Sequence, residues 1–224
     1  MGLMIGYKLS THRRLTLAGV KQLLAPLREK ALALDFETVG EWLEVGPDYT
    51  WAFHWPRGVK KISDLLTPLE GWVFHATPGD GSESAQLGLC RYAGVNGWRL
   101  ASFCKTQYAS RHGWEHFLKC HRGVIKLLRT AEDLGLRVKV EDEGGLWETG
   151  SPARLRRKLN EYNQCVAAFG GALKDAAETA GVKVQSEIHH HPDFEHLEAA
   201  GMATLGNRVD SAVRVVKHLV SGST

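Results

Sequence analysis

Long apolar runs are missing from this chain: no stretch approaches the ~18 apolar residues of a membrane span. The start MGLMIGYKLS also lacks the extended hydrophobic segment of a secretory signal. A membrane protein is thereby excluded, and a soluble, cytoplasmic one is expected. Charge of one sign is missing too. The 28 Lys and Arg stand against 25 Asp and Glu, a formal net charge of +3 with the basic residues spread along the chain. That leaves room for a modest basic face but for no nucleic-acid-binding tail, so nucleic acid is not the expected partner. Cysteine is scarce: Cys90, Cys104, Cys120 and Cys165 form no CxxC pair. In 224 residues, enough to bury a core without covalent staples, such spacing suits reduced cytosolic thiols and excludes a disulfide framework.

Catalytic signatures are equally sparse. There is no HExxH, and no GxSxG elbow; Ser82 in GDGSE reads as a turn residue. GLWETGS places glycines at 145 and 150, five apart as in a phosphate-binding loop, but Ser151 stands where the lysine belongs. Nor is there a repeat, linker or low-complexity segment, so a single domain over residues 1–224 is expected.

What is present is alternating strand pattern and helical periodicity. Leu3, Ile5, Tyr7 and Leu9 alternate with Met4, Gly6 and Lys8 as a strand with one buried face. Thr16 is a good cap for a helix burying Val20, Leu24, Leu27 and Ala31, with Pro26 expected to kink or split it. Residues 71–93 read as two strands about a Gly-rich turn and 98–105 as a third; Trp51, Phe53 and Trp55 alternate before Pro56 and Gly58 break the pattern. A helix over 113–134 buries Phe117, His121, Val124 and Leu128 and ends at Gly135; a strand over 136–142 follows. Ser151 and Pro152 open a long helix with Leu155, Leu159, Tyr162, Val166 and Phe169 on one stripe. A last strand over 182–188, a short helix from Pro192 and a terminal helix complete the chain.

Strands with one polar face argue against a sheet covered on both sides. The expected fold is α/β (α+β), a two-layer sandwich of a mixed β-sheet with helices mainly on one face, leaving Arg137, Lys139, Lys183 and Gln185 on the other. If the strands ending near 103, 141 and 188 are joined by right-handed crossovers, their carboxyl ends share an edge, the usual place for a ligand in an open α/β sheet. That edge would collect Cys104, Lys105, Thr106, Gln107 and Tyr108, then Asp142 and Glu143, then His189, His190, His191 and Asp193.

The chemistry those residue types allow is acid–base or metal-assisted hydrolysis. Asp142, Glu143 and His191 are the candidate ligands of a divalent metal, or general acid and base, with Lys105 as a fourth catalytic group. Gln107 and Tyr108 would orient a polar or anionic small molecule, and Arg154 and Arg157, beside free helix N–H groups, would receive an anion. A Cys104 nucleophile is disfavoured because alternation turns Lys105 to the opposite face. His116 and Cys120 are four apart, but Cys120 and His121 sit among apolar residues and read as a structural thiol and a hydrogen-bonded core histidine. FCKTQYAS, DEGGLWE and HPDFEHLE resemble segments of an uncharacterised bacterial protein family over residues 85–200; the resemblance implies no activity and carries over no catalytic residue. The expected function is therefore a polar ligand or catalytic pocket at the carboxyl edge. The alternatives are a non-catalytic module docking a protein partner on the exposed sheet face, and RNA binding on that face, which requires solvent-facing aromatics.

Overall fold

A computed structural model describes residues 3–52, 66–179 and 183–221. The chain, expected as one domain, divides into two compact units: 4–143, and 144–224 together with the first three residues. The expected alternation at Phe53 and Trp55 lies outside the described residues.

The first unit is an α/β layer pair. Strands β1 (Met4–Thr11), β2 (Thr38–Val39), β3 (Leu43–Val45), β4 (Glu70–Thr77), β5 (Ala85–Arg91), β6 (Trp98–Lys105) and β7 (Arg137–Asp142) form one sheet in the order β2-β4-β5-β6-β1-β7, with β3 also on β4. Every pairing is antiparallel, which corrects the expected mixed sheet. The crossover between β6 and β7 does make those two strands parallel to each other. However, β1 inserts between them and runs against both, so no parallel neighbours remain.

Helices α1 (Leu17–Ala33) and α2 (Trp114–Asp133) share one side: α1 packs on β4, α2 on β7, and the two on each other. Thr16 caps α1 as expected, its Oγ1 accepting from the Gly19 N–H at 3.1 Å. Pro26 does not split α1, which runs unbroken to Ala33; burial of Val20, Leu24, Leu27 and Ala31 on both sides of the proline outweighs the one lost donor. The strand alternation sorts the sheet faces. Ile5, Leu9, Leu100 and Cys104 are each no more than 1% exposed, while Lys8, Ala101, Phe103, Arg137, Lys139 and Glu141 face solvent.

The second unit is helical. The turn α3 (Leu146–Thr149) leads to α4 (Pro152–Thr179), and α5 spans Phe194–Ser221. Ser151 caps α4 as expected, its Oγ accepting from the Arg154 N–H at 3.3 Å. The strand expected over 182–188 is absent where it is described: 183–186 are irregular and Glu187–His190 form a 3-10 turn whose Ile188 packs with Ala167 and Leu197. Lys183 and Gln185 therefore belong to no sheet face, and His189–His191 to no strand end. The short and terminal helices expected after Pro192 are one, α5. The stripe of α4 is also rotated from expectation: Leu155 and Leu159 are buried, but Val166 and Phe169 are half-buried and Asn163, Ala167 and Ala168 take the inner positions. Gly201 explains why small residues are needed there, because a Cβ on it would come within 2.8 Å of Ala168 Cβ.

Candidate functional site

The carboxyl ends of β6 and β7 do lie at one edge of the sheet, flanking the start of β1. Cys104 and Asp142 both pair with Ile5 and so point to its helix-covered face. From α2, His121 descends onto them: its Nε2 lies 3.1 Å from Asp142 Oδ1 and its Nδ1 2.8 Å from Thr106 Oγ1. The carboxylate is an acceptor, so Nε2 carries a proton toward it and the Thr106 hydroxyl can donate to a neutral Nδ1. The order Asp, His, hydroxyl matches an acyl-transfer triad in residue type. Its setting does not: the side chains of Asp142 and His121 are both 0% exposed, and Thr106 is fully buried. His121 is the hydrogen-bonded core histidine that its apolar stripe implies.

Around this buried relay each charged group is committed to a near neighbour. Lys105 Nζ lies 3.1 Å from Glu83 Oε1, while Cys104, turned inward as alternation requires, donates from Sγ to the Glu83 carbonyl at 3.0 Å. Burial, with the nearby Glu83 charge and Cys120, pushes the Cys104 thiol well above its ordinary range, the opposite of what a nucleophile needs. Glu143 closes the strand edge, accepting at Oε2 from the Met4 N–H at 2.8 Å and donating its own N–H to the Met4 carbonyl. Gln107 is buried and Tyr108 half-buried in the 3-10 turn Gln107–His112 that replaces the expected loop.

Asp80 gathers the outer layer, accepting from Arg111 Nη2 at 2.7 Å and meeting His112 Nε2 at 2.9 Å. Desolvation raises the Asp80 carboxyl, but the hydrogen bond and charge of Arg111, helped by His112, hold it below the usual carboxylate range. His116 Nε2 lies 2.9 Å from the Asp80 carbonyl and 3.6 Å from Cys120 Sγ, a thiol that burial pushes up. In the second unit His191 accepts at Nδ1 from the Asp193 N–H at 3.1 Å, and desolvation lowers its pKa against the pull of Asp193. Arg154 and Arg157 are exposed on the first turns of α4. Among the described residues no group of three or more His, Cys, Asp or Glu is arranged to hold a metal ion, so the ligand set Asp142, Glu143 and His191 has no counterpart there.

The sheet face away from α1 and α2 is different in kind. Register places Ser10 between Arg99 and Arg137, Lys8 between Ala101 and Lys139, and Gly6 between Phe103 and Glu141. Four cations thus occupy two successive rows of three strands. Together with Ser10, His12 and Tyr92 they line a groove of about 450 Å³. No carboxylate among the described residues pairs with Lys8, Arg99, Arg137 or Lys139, whereas Lys105, Arg111, Lys119 and Lys158 all have one. Arg99 donates from Nη2 to the Asn96 carbonyl at 2.6 Å, and its buried Nε has no hydrogen-bond partner. Alternation alone assigns Arg137 and Lys139 to this face. Lys8 and Arg99 share that alternation, but only the insertion of β1 between β6 and β7 brings them beside it.

Comparison with family models, with curated proteins and with solved structures finds no match for this chain. No helix among the described residues is long and apolar enough to cross a membrane.

Proposed function

We propose that the chain is a non-catalytic binding module whose uncovered sheet face takes a phosphate-rich anion. The observation that carries this reading is the set of four cations in two adjacent rows with no carboxylate partner among the described residues. Like charges directly opposite on neighbouring strands destabilise a sheet, and Lys8 stands directly opposite Lys139. An incoming anion relieves that repulsion, so its binding is favoured by the same arrangement that costs the free protein stability. Arg99 and Arg137 add planar guanidinium groups that can donate two parallel hydrogen bonds to a phosphate.

The carboxyl edge, first choice from the sequence, supports a pocket less well. Asp142 is engaged by His121, Lys105 by Glu83 and Glu143 by the Met4 backbone, which leaves none of the three disposed toward a substrate. The thiols of Cys90, Cys104 and Cys120 are free and buried, in keeping with a reducing cytoplasmic setting for the module.

The test is calorimetric titration with inorganic tripolyphosphate at low salt. Wild type binds. The double variant Lys8→Ser with Lys139→Ser binds at least tenfold more weakly, while Arg122→Gln with Lys126→Gln, which removes the same charge from exposed positions of α2, binds as wild type. Equal weakening in both variants would reduce the effect to net charge and refute a site.

A further inference from the structure

The charged groove continues into an exposed aromatic, and this identifies the class of anion. Phe103 is 48% exposed, an uncommon condition for a phenylalanine in a central strand. It follows Arg99 and Ala101 on the same face of β6, so the ring stands one row beyond Lys8 and Lys139, about 6.8 Å along the strand. Its cross-strand neighbour on β1 is Gly6, which has no side chain, and beyond that lies Glu141. No side chain of β1 in that row therefore borders the ring, Met4 Cε being among the atoms nearest the Gly6 position, while Lys105 Nζ approaches the ring at 5.2 Å. A Cβ at Gly6 would meet nothing closer than 3.7 Å, so the missing side chain is not demanded by packing.

We propose that this face binds single-stranded RNA, with phosphates over Lys8, Arg99, Arg137 and Lys139 and a base stacked on Phe103. The inference rests on the anion-binding reading above and narrows it. Charges in two successive rows suit a chain of phosphates, and an exposed flat ring with only a glycine beside it suits an unpaired base, the combination by which open sheets hold single strands. A duplex keeps its bases in the stack and offers none to the ring. An acidic peptide would use the cations but leave Phe103 without purpose. Among the groove-lining groups Ser10 carries a hydroxyl between Arg99 and Arg137, able to donate or accept and thus to meet a ribose 2′-hydroxyl, the group that separates RNA from DNA. Glu141, the one carboxylate in these three rows, lies on the far side of Gly6 from the ring and marks the acidic limit of the path.

The experiment is fluorescence anisotropy with a labelled uridine oligomer of about 8 nucleotides, run beside tripolyphosphate calorimetry on the same proteins. Phe103→Ala is expected to weaken the oligomer about tenfold and to leave tripolyphosphate unchanged; Phe103→Trp retains oligomer binding. Gly6→Val, which puts a branched side chain beside the ring, weakens the oligomer as well. Circular dichroism identical to wild type verifies the fold of each variant. Oligomer affinity indifferent to Phe103→Ala and Gly6→Val would overturn the stacking inference, and so would equal affinity for a duplex or for an acidic peptide of the same charge. DNA of the same length binding as tightly as RNA would overturn the RNA assignment. None of these results touches the anion reading, which fails if tripolyphosphate binding ignores Lys8 and Lys139 or falls equally in the α2 variant.

Discussion

Replacing Lys139 by Thr should stabilise the free protein. Lys8 and Lys139 are direct partners across β1 and β7, a position where Cβ atoms stand about 5 Å apart and where like charges cost roughly 0.2–1 kcal/mol. Other cations contribute less: Arg99 and Arg137 are separated by the width of β1, two strand spacings or about 9.6 Å, close to the ~10 Å screening length at 0.1 M salt. Thr adds β-branched strand propensity at an exposed position. The sum is a gain of about 0.5 kcal/mol at low salt, or a rise in Tm of about 1–2 °C for a chain of this size. The gain should shrink in 0.5 M salt, where the repulsion is screened. Differential scanning calorimetry at both salts measures it. A Tm that falls, or a rise indifferent to salt, would show that Lys139 makes a favourable contact in the free protein and that the rows are not held against repulsion.

Two further outcomes test the buried relay and the network under β4. Asp142→Asn should destabilise by about 1–3 kcal/mol, because a charge-assisted bond to buried His121 is lost; an unchanged or raised Tm would instead identify Asp142 as a site carboxylate held at a cost to the apo fold. Desolvation lowers the pKa of His75, whose Nε2 lies 3.2 Å from the Tyr49 hydroxyl. Because the folded value is depressed, the stability it contributes is present above the unfolded pKa of ~6.5 and is lost as pH falls through the folded pKa. Urea midpoints should therefore drop between neutral and mildly acidic pH, and less so in His75→Gln; His191, also lowered, accounts for part of the remainder, and a His75→Gln profile parallel to wild type would refute the assignment.

Periodicity made most elements legible. Ile5, Tyr7 and Leu9 announced β1, Thr16 and Ser151 their helices, and the 70–91 hairpin its turn, because each signal is local. Partner choice was not legible. Nothing in the sequence says that β1 lies between β6 and β7, and that single pairing converts an expected parallel edge into an antiparallel sheet and places Lys8 and Arg99 beside Arg137 and Lys139. The alternation in VKVQSEI misled for the opposite reason: the pattern is strand-like, but Ile188 finds its apolar contacts against α4 and α5 in a 3-10 turn, and no sheet edge claims it. Cys104–Tyr108 and Asp142–Glu143 do share an edge, without the expected His189–Asp193 loop, but Lys105, Asp142 and Glu143 are engaged by near neighbours, which only distances can reveal.

The decisive measurement is the salt dependence of oligomer binding. For a single strand, log K falls against log salt with a slope of about −0.7 for each phosphate neutralised. A face built on Lys8, Arg99, Arg137 and Lys139 predicts a wild-type slope near −2.8 and a slope near −1.4 for the Lys8→Ser, Lys139→Ser double variant, each at ~0.7 per contact. A slope near zero in wild type, or one unchanged by removing the two lysines, would contradict an anion-binding sheet face.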